Sequence, residues 1–157
     1  TESQSAVLEM KQKQGDQQRK RSLRLRREDA QRMSAGDYEP LLRYPEPFAA
    51  ECYALMNARC YRPRTIVQYR RLAFVAQENN IRVTFDHQID ATQSNFNLFD
   101  PGLIMHPVME ESMVVMEVKY DNFLLAYIQQ ILNGVDKSEL SVSKYCLARQ
   151  DSYQGNL

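Results

Sequence analysis

Ile81-Arg82-Val83-Thr84-Phe85-Asp86 is the stretch that decides how the rest of the chain is read. Side chains alternate across an extended strand, so Ile81, Val83 and Phe85 share one face while Arg82, Thr84 and Asp86 share the other. Two further segments repeat the pattern. In Val115-Met116-Glu117-Val118-Lys119-Tyr120, Glu117 and Lys119 lie opposite Met116, Val118 and Tyr120. In Leu8-Glu9-Met10-Lys11-Gln12-Lys13, Glu9, Lys11 and Lys13 align. One such strand is an ordinary half-solvated element with its charged face in bulk water. Several of them, each mixing cations with a carboxylate, also fit an arrangement in which charged faces line a cavity. Burying many cations in a dry lumen costs several kcal/mol per ion, so such a cavity must be wet, and it favours a polyanion.

The flanking sequence supplies the other elements. Residues 6–13 read as a strand closed by the polar turn Gly15-Asp16. Residues 19–26 read as a second strand, with Leu23 and Leu25 opposite Lys20, Ser22, Arg24 and Arg26. Arg27 to Met33 is a short helix ended by Gly36. Pro45 and Pro47 introduce a helix over 46–59, in which Phe48, Cys52, Leu55 and Met56 form a buried stripe, and Pro63 ends the region. Strands follow at 65–75 and 81–90, joined by Gln77-Glu78-Asn79-Asn80. Asp100-Pro101-Gly102 marks a turn in a looser segment. A strand over 113–120 precedes a helix over 122–133 that stops at Gly134. The apolar residues of that helix (Phe123, Leu124, Tyr127, Ile128, Ile131, Leu132) cover a broad face expected to pack onto something. Residues 138–149 form a tail with a helical end. Mostly antiparallel strands with a few helices make an α+β fold.

Composition narrows the partners. The 157 residues carry twenty basic and twenty acidic side chains, so no whole-molecule field draws the chain to nucleic acid or anionic lipid. The basic stretch Arg19-Lys20-Arg21, Arg24 and Arg26-Arg27 lacks interleaved aromatics, and no nucleic-acid recognition motif is present. No run reaches the ~18–20 apolar residues of a membrane span, and no signal-peptide pattern opens the chain. Cys52, Cys60 and Cys146 are odd in number and lack metal-ligand spacing, which predicts free thiols in a reducing compartment. His87 and His106 have no partner spacing for a metal site or a triad.

The order of the motifs carries a family resemblance. Tyr69-Arg70-Arg71-Leu72-Ala73-Phe74 fits Tyr-x-Arg-x-Ala-Phe. It is followed by Ile81-Arg82-Val83-Thr84-Phe85-Asp86, then Met116-Glu117-Val118-Lys119-Tyr120, then Ser143-Lys144-Tyr145. This succession resembles the VTC (vacuolar transporter chaperone) domain, the polyphosphate polymerase branch of the triphosphate tunnel enzymes. Leu8-Glu9-Met10-Lys11 and the later Lys20 resemble that family's Glu-x-Lys strand and the lysine-bearing strand after it, so the likeness runs over residues 8–148.

The resemblance implies an antiparallel β tunnel with flanking helices that binds ATP and inorganic polyphosphate. It implies transfer of the γ-phosphoryl group of ATP to a growing polyphosphate chain, with Mn2+ or Mg2+ as cofactor. It assigns Lys144 and Arg82 to catalysis, and Lys11, Lys20, Arg71, Arg82 and Lys119 to phosphate binding. Glu117 becomes the metal ligand, with Glu9 as a second carboxylate. The residue types suit the chemistry. Phosphoryl transfer depends mainly on positioning and charge neutralisation, guanidinium forks fit phosphate oxygens, and hard cations take carboxylate oxygen.

Other readings of the same residues stay open. Arg70 and Arg71 point to opposite faces, and the motif selects Arg71. Glu117 and Lys119 are also explained as solvated neighbours, Lys144 as a surface lysine, and Glu9 as a partner of Lys11 or Lys13. Tyr69 and Tyr120 are expected to pack under helices. Arg24 and Arg26 suit either a lumen or an edge strand defended by charge.

One departure stands out. The family places an Arg-x-Arg strand before the Glu-x-Lys strand, whereas Arg24-Leu25-Arg26 follows Lys11. The chain also opens on Thr1 with a strand almost at once. The expectation is therefore a single VTC-like domain over 1–157 whose N-terminal part is missing. Its barrel would be left incomplete unless that segment or another chain closes it. The competing functions are a non-catalytic polyphosphate- or nucleotide-binding module, a triphosphatase on the same tunnel, and an interaction domain unrelated to phosphate. The expected location is cytoplasmic, including the cytoplasmic face of a membrane where other subunits provide a tether.

Overall fold

The computed structural model describes residues 2–15, 17–138 and 142–154. β1 (Ser5–Gln14) and β2 (Gln17–Arg26) form an antiparallel hairpin whose register runs from Ser5 opposite Arg26 to Gln14 opposite Gln17. Gly15 turns the chain with φ 59°, a left-handed conformation that costs glycine little. Its expected turn partner, Asp16, lies outside the described residues. Leu8 opposes Leu23 and Ala6 opposes Leu25, so one face of the hairpin is apolar.

That face is covered by α1 (Arg27–Ser34), a 3-10 turn at Glu39–Arg43 and α2 (Pro47–Ala58). The core so formed contains Leu23, Leu25, Met33, Tyr38, Leu41 and Cys52, with Phe99 added from a later loop. Buried Asp29 is satisfied by the Tyr44 hydroxyl at 2.6 Å and by Arg43. Arg21 ties the hairpin to α2 through Glu51 and lies over the Phe48 ring at 4.8 Å. These elements run up to Ile66 and, together with Gln93–Leu103, make one compact unit.

The second unit takes in Val67–Thr92 and the chain from Ile104 onward. β3 (Ile66–Val75), β4 (Arg82–Thr92), β5 (His106–Pro107) and β6 (Val115–Lys119) form a four-stranded sheet in which β4 is central. β3 lies on one side of β4. On the other side, β6 pairs antiparallel with Arg82–Asp86 and β5 with Asp90 and Ala91. Between those two stretches Gln88 adopts φ 49°, which interrupts the alternation of the strand. Ile81, Val83, Ile89 and Ala91 are buried, whereas β3 is exposed along most of its length.

The expected strands and the first two helices are present with ends moved by a residue or two, and the fold is α+β with antiparallel sheets. Two expectations need correction. α3 spans Ala126–Asn133 and does not begin at 122. The Asp121 amide donates to the Asn79 carbonyl at 2.8 Å, the Asn80 side chain to Asp121 at 2.7 Å, and the Asn79 side chain to the Phe123 carbonyl at 2.9 Å. With Asn122 at φ 62°, this network holds 121–123 in a turn.

The apolar face of that helix is also not packed. Phe123, Tyr127 and Ile131 are 62%, 56% and 67% exposed, and no residue of α3 is buried. The tail ends in a helix as expected, α4 (Lys144–Gln154), which extends past residue 149. Among the described residues the hairpin and the four-stranded sheet are open, and no closed barrel is formed. No helix among them is long and apolar enough to cross a membrane.

Candidate functional site

The charged face of β4 carries Arg82, Thr84 and Asp86, and the last of these organises its surroundings. Asp86 is 1% exposed. Arg71 of β3 grips it as a fork, with Nε 2.6 Å from Oδ1 and Nη2 2.7 Å from Oδ2. Lys144, the first residue of α4, places Nζ 2.6 Å from Oδ2. One helical turn on, Ala148 is buried on the same side of α4. Tyr69 precedes Arg71 by two residues on β3 and so shares its face. Its ring centroid lies 5.2 Å from the Arg71 guanidinium carbon and 4.8 Å from Lys144 Nζ. One carboxylate and one ring therefore hold two cations that come from a strand and a helix.

The electrostatics agree with the geometry. The hydrogen bond from Arg71 holds the Asp86 carboxyl below the usual aspartate range, burial opposes this, and Lys144 adds to the lowering. The same contact pushes the Arg71 guanidinium further toward its protonated form, against a smaller opposing effect of burial. Two cations on one carboxylate leave a surplus positive charge. Arginine has five N–H donors and lysine three, more than Asp86 accepts.

β6 extends the face. Its register sets Lys119 opposite Arg82, Glu117 opposite Thr84 and Val115 opposite Asp86. Thr84 is buried, and its hydroxyl has no hydrogen-bond partner among the described residues. Glu117 and Lys119 pair with each other at 3.1 Å, and their side chains are 49% and 66% exposed. They are solvated same-strand neighbours. Arg82 is exposed beside them.

Lys11, Lys20 and Glu9 lie in the other compact unit, on the hairpin face opposite its core. Glu9 pairs with Lys20 at 2.6 Å, not with Lys11 or Lys13, and this bond holds its carboxyl below the usual glutamate range. Lys11 sits directly across from Lys20, and Arg24 and Arg26 share the same exposed face.

Among the described residues no three or more histidine, cysteine or acidic side chains gather in a way that could hold a metal ion. Asp86 is saturated by two cations, and Glu9 is held by Lys20. Glu117 is the candidate carboxylate left open to solvent. Such a lone ligand suits magnesium or manganese, which take most of their oxygens from water and phosphate.

Asp86 is visible in the sequence on the charged face, yet only its depth makes it the organising group. Tyr69, expected to pack under a helix, instead offers its ring to Arg71 and Lys144. Tyr120 is likewise exposed, not packed. The three cysteines are free, Cys52 buried and Cys60 and Cys146 exposed.

Known proteins match the chain at one level. No curated protein and no solved structure matches it. The family model of the VTC domain matches residues 1–153, nearly the whole sequence. The chain therefore belongs to the VTC domain family, with a function related to polyphosphate.

Proposed function

We propose that this domain takes part in polyphosphate synthesis, transferring the γ-phosphoryl group of ATP to the end of a polyphosphate chain. In that reaction a terminal polyphosphate oxygen forms a bond to the γ-phosphorus as the bond to the β-bridging oxygen breaks, and ADP leaves with the electron pair. The observation that carries this reading is the pair of cations Arg71 and Lys144 fixed on buried Asp86. Preset cations suit a reaction in which the protein mainly positions phosphates and neutralises their charge.

In this reading the Arg71 fork keeps one edge on Asp86 and offers its remaining donors to phosphate oxygens. Lys144 acts as a point charge beside the transferred group. Arg82 and Lys119 continue the cationic face, and the unpartnered Thr84 hydroxyl gains an acceptor. Lys11 and Lys20, opposite each other on the exposed hairpin face, offer phosphate-binding cations within the first unit. A divalent cation, manganese or magnesium, supplies neutralisation of phosphate charge when bound. Glu117 would hold it, while Glu9 would first have to release Lys20. The charged face of β4 and β6 is then one wall of an antiparallel tunnel.

A second reading is a module that binds polyphosphate without turnover. It is favoured by one observation: among the described residues no three metal-ligating side chains gather, and Glu117 is already paired with Lys119. The deciding experiment incubates the full gene product with ATP and manganese and resolves the products on a gel. A polyphosphate ladder lost in both Lys144→Ala and Arg82→Ala is the expected result. No ladder but tight metal-independent binding supports the module. Absence of both synthesis and binding overturns the phosphate reading.

A further inference from the structure

Within the first compact unit, beside β1, lies a cavity of about 590 Å³. Leu8, Leu25, Met33, Met56 and Ile66 supply apolar lining, and Arg59, Arg62 and Arg64 line it from the segment that follows α2. We propose that this cavity binds a small amphipathic anion, a compact apolar body ending in a phosphate or carboxylate. The site is separate from the polyphosphate chemistry and does not depend on it.

Three observations support the assignment. First, the wall that carries the arginines is fixed in place. Cys60 adopts φ 50° at the end of α2, and the Tyr61 amide returns to the Met56 carbonyl at 2.9 Å, a helix-closing turn. The Tyr61 carbonyl accepts from the Tyr38 hydroxyl and from Arg62 Nη1, each at 2.6 Å. The Arg62 side chain lies across Gly36, whose φ is 84° and which brings no side chain of its own. A wall fixed in this way loses little freedom when a ligand arrives.

Second, no carboxylate lies within ion-pairing distance of Arg59, Arg62 or Arg64 among the described residues. Arg21, Arg32 and Arg43 of this unit each have an acidic partner. Arg24 and Arg26, which have none among the described residues, lie on the open hairpin face and do not line this cavity. Third, Val7, Tyr61 and Leu98 also line the cavity, and these large apolar side chains are left exposed. A bare polyphosphate would satisfy the guanidinium groups but leave this apolar surface wet. A neutral apolar molecule would cover the surface and leave three charges unanswered. An anion with an apolar body meets both needs.

The test uses the full protein with 13C-methyl methionine, titrated with decyl phosphate and, separately, decanoate, both below their micelle concentrations. Saturable shifts of the Met33 and Met56 methyls, with Met113 in the other unit unmoved, are expected. Response to both probes makes negative charge the recognised feature; response to decyl phosphate alone makes it phosphate. The double variant Arg59→Gln/Arg64→Gln, exposed and outside every element, is expected to weaken binding about tenfold or more. Val7→Asp, on the exposed side of β1, is expected to weaken it comparably by placing a like charge at the mouth. The proposal is overturned if neither probe moves Met33 and Met56. It is also overturned if a neutral decyl glycoside or tripolyphosphate binds there as tightly, or if the arginine double variant binds as the parent does.

Discussion

Asp86 answers two cations from almost complete burial, and its chemistry decides what removing it does. Asp86→Asn keeps the shape and deletes the charge, so Arg71 and Lys144 face each other without a counter-ion. Breaking a fully buried pair costs about 3–5 kcal/mol. Here both cations are partly open to water, which lowers the expected loss to about 1–3 kcal/mol in denaturant unfolding. The depressed carboxyl also sets a pH dependence. In the unfolded chain the aspartate takes up its proton near pH 3.9, in the folded protein only at lower pH. Its stabilisation is thus complete above the unfolded value and is lost as pH falls through the folded one. Melting temperature should fall more steeply in the parent than in Asp86→Asn as pH drops from about 5 to 3. Equal stability and equal acid slopes would show that the cluster contributes nothing to folding. At this scale the sequence was half legible. Alternation put Arg82, Thr84 and Asp86 on one face, and the motif chose Arg71 over Arg70. Lys144 reaches Asp86 only through the tertiary fold, so no local pattern announced that pairing.

Elements were legible where periodicity was local and illegible where distant hydrogen bonds intervened. β1, β2, β6 and β4 up to Gln88 follow period-two alternation in sequence, and α2 follows its apolar stripe. The turn at 121–123 is imposed by Asn79 and Asn80, distant in sequence, so a helix read from apolar spacing alone starts too early. Spacing also predicted a buried face for α3, but an apolar pattern reports what a helix is able to bury, not what it meets. Two substitutions separate those ideas. Ile131→Gln, on the exposed stripe of α3, should change stability by no more than about 0.5 kcal/mol. Phe74→Ala on exposed β3 should cost more, about 1–2 kcal/mol. Its ring meets Phe85 edge-on, with centroids 6.0 Å apart and planes at 85°. Chemical denaturation of both variants checks the pair. A loss at Ile131 as large as that at Phe74 would mean that α3 is covered in solution.

At the scale of the whole molecule, positive and negative charges cancel, so any attraction for polyphosphate must come from local faces. The cations assigned above to polyphosphate fall on two such faces, one in each compact unit. Within the second, Glu117 is the one open acidic candidate, and it separates synthesis from binding. Its side chain is half exposed and its ion pair is with an exposed lysine, so Glu117→Gln should leave melting temperature within about a degree of the parent. Any loss of turnover then reflects chemistry and not unfolding. If Glu117 holds the divalent cation, the variant forms no polyphosphate ladder from ATP at any manganese concentration. It still binds polyphosphate in EDTA as tightly as the parent or more tightly, because a repelling carboxylate has gone. Arg71→Ala serves as the opposite control, losing binding in EDTA and synthesis together. A Glu117→Gln protein that makes polyphosphate at the parent rate would remove Glu117 from the metal site and return it to the role its geometry already explains, a solvated partner of Lys119.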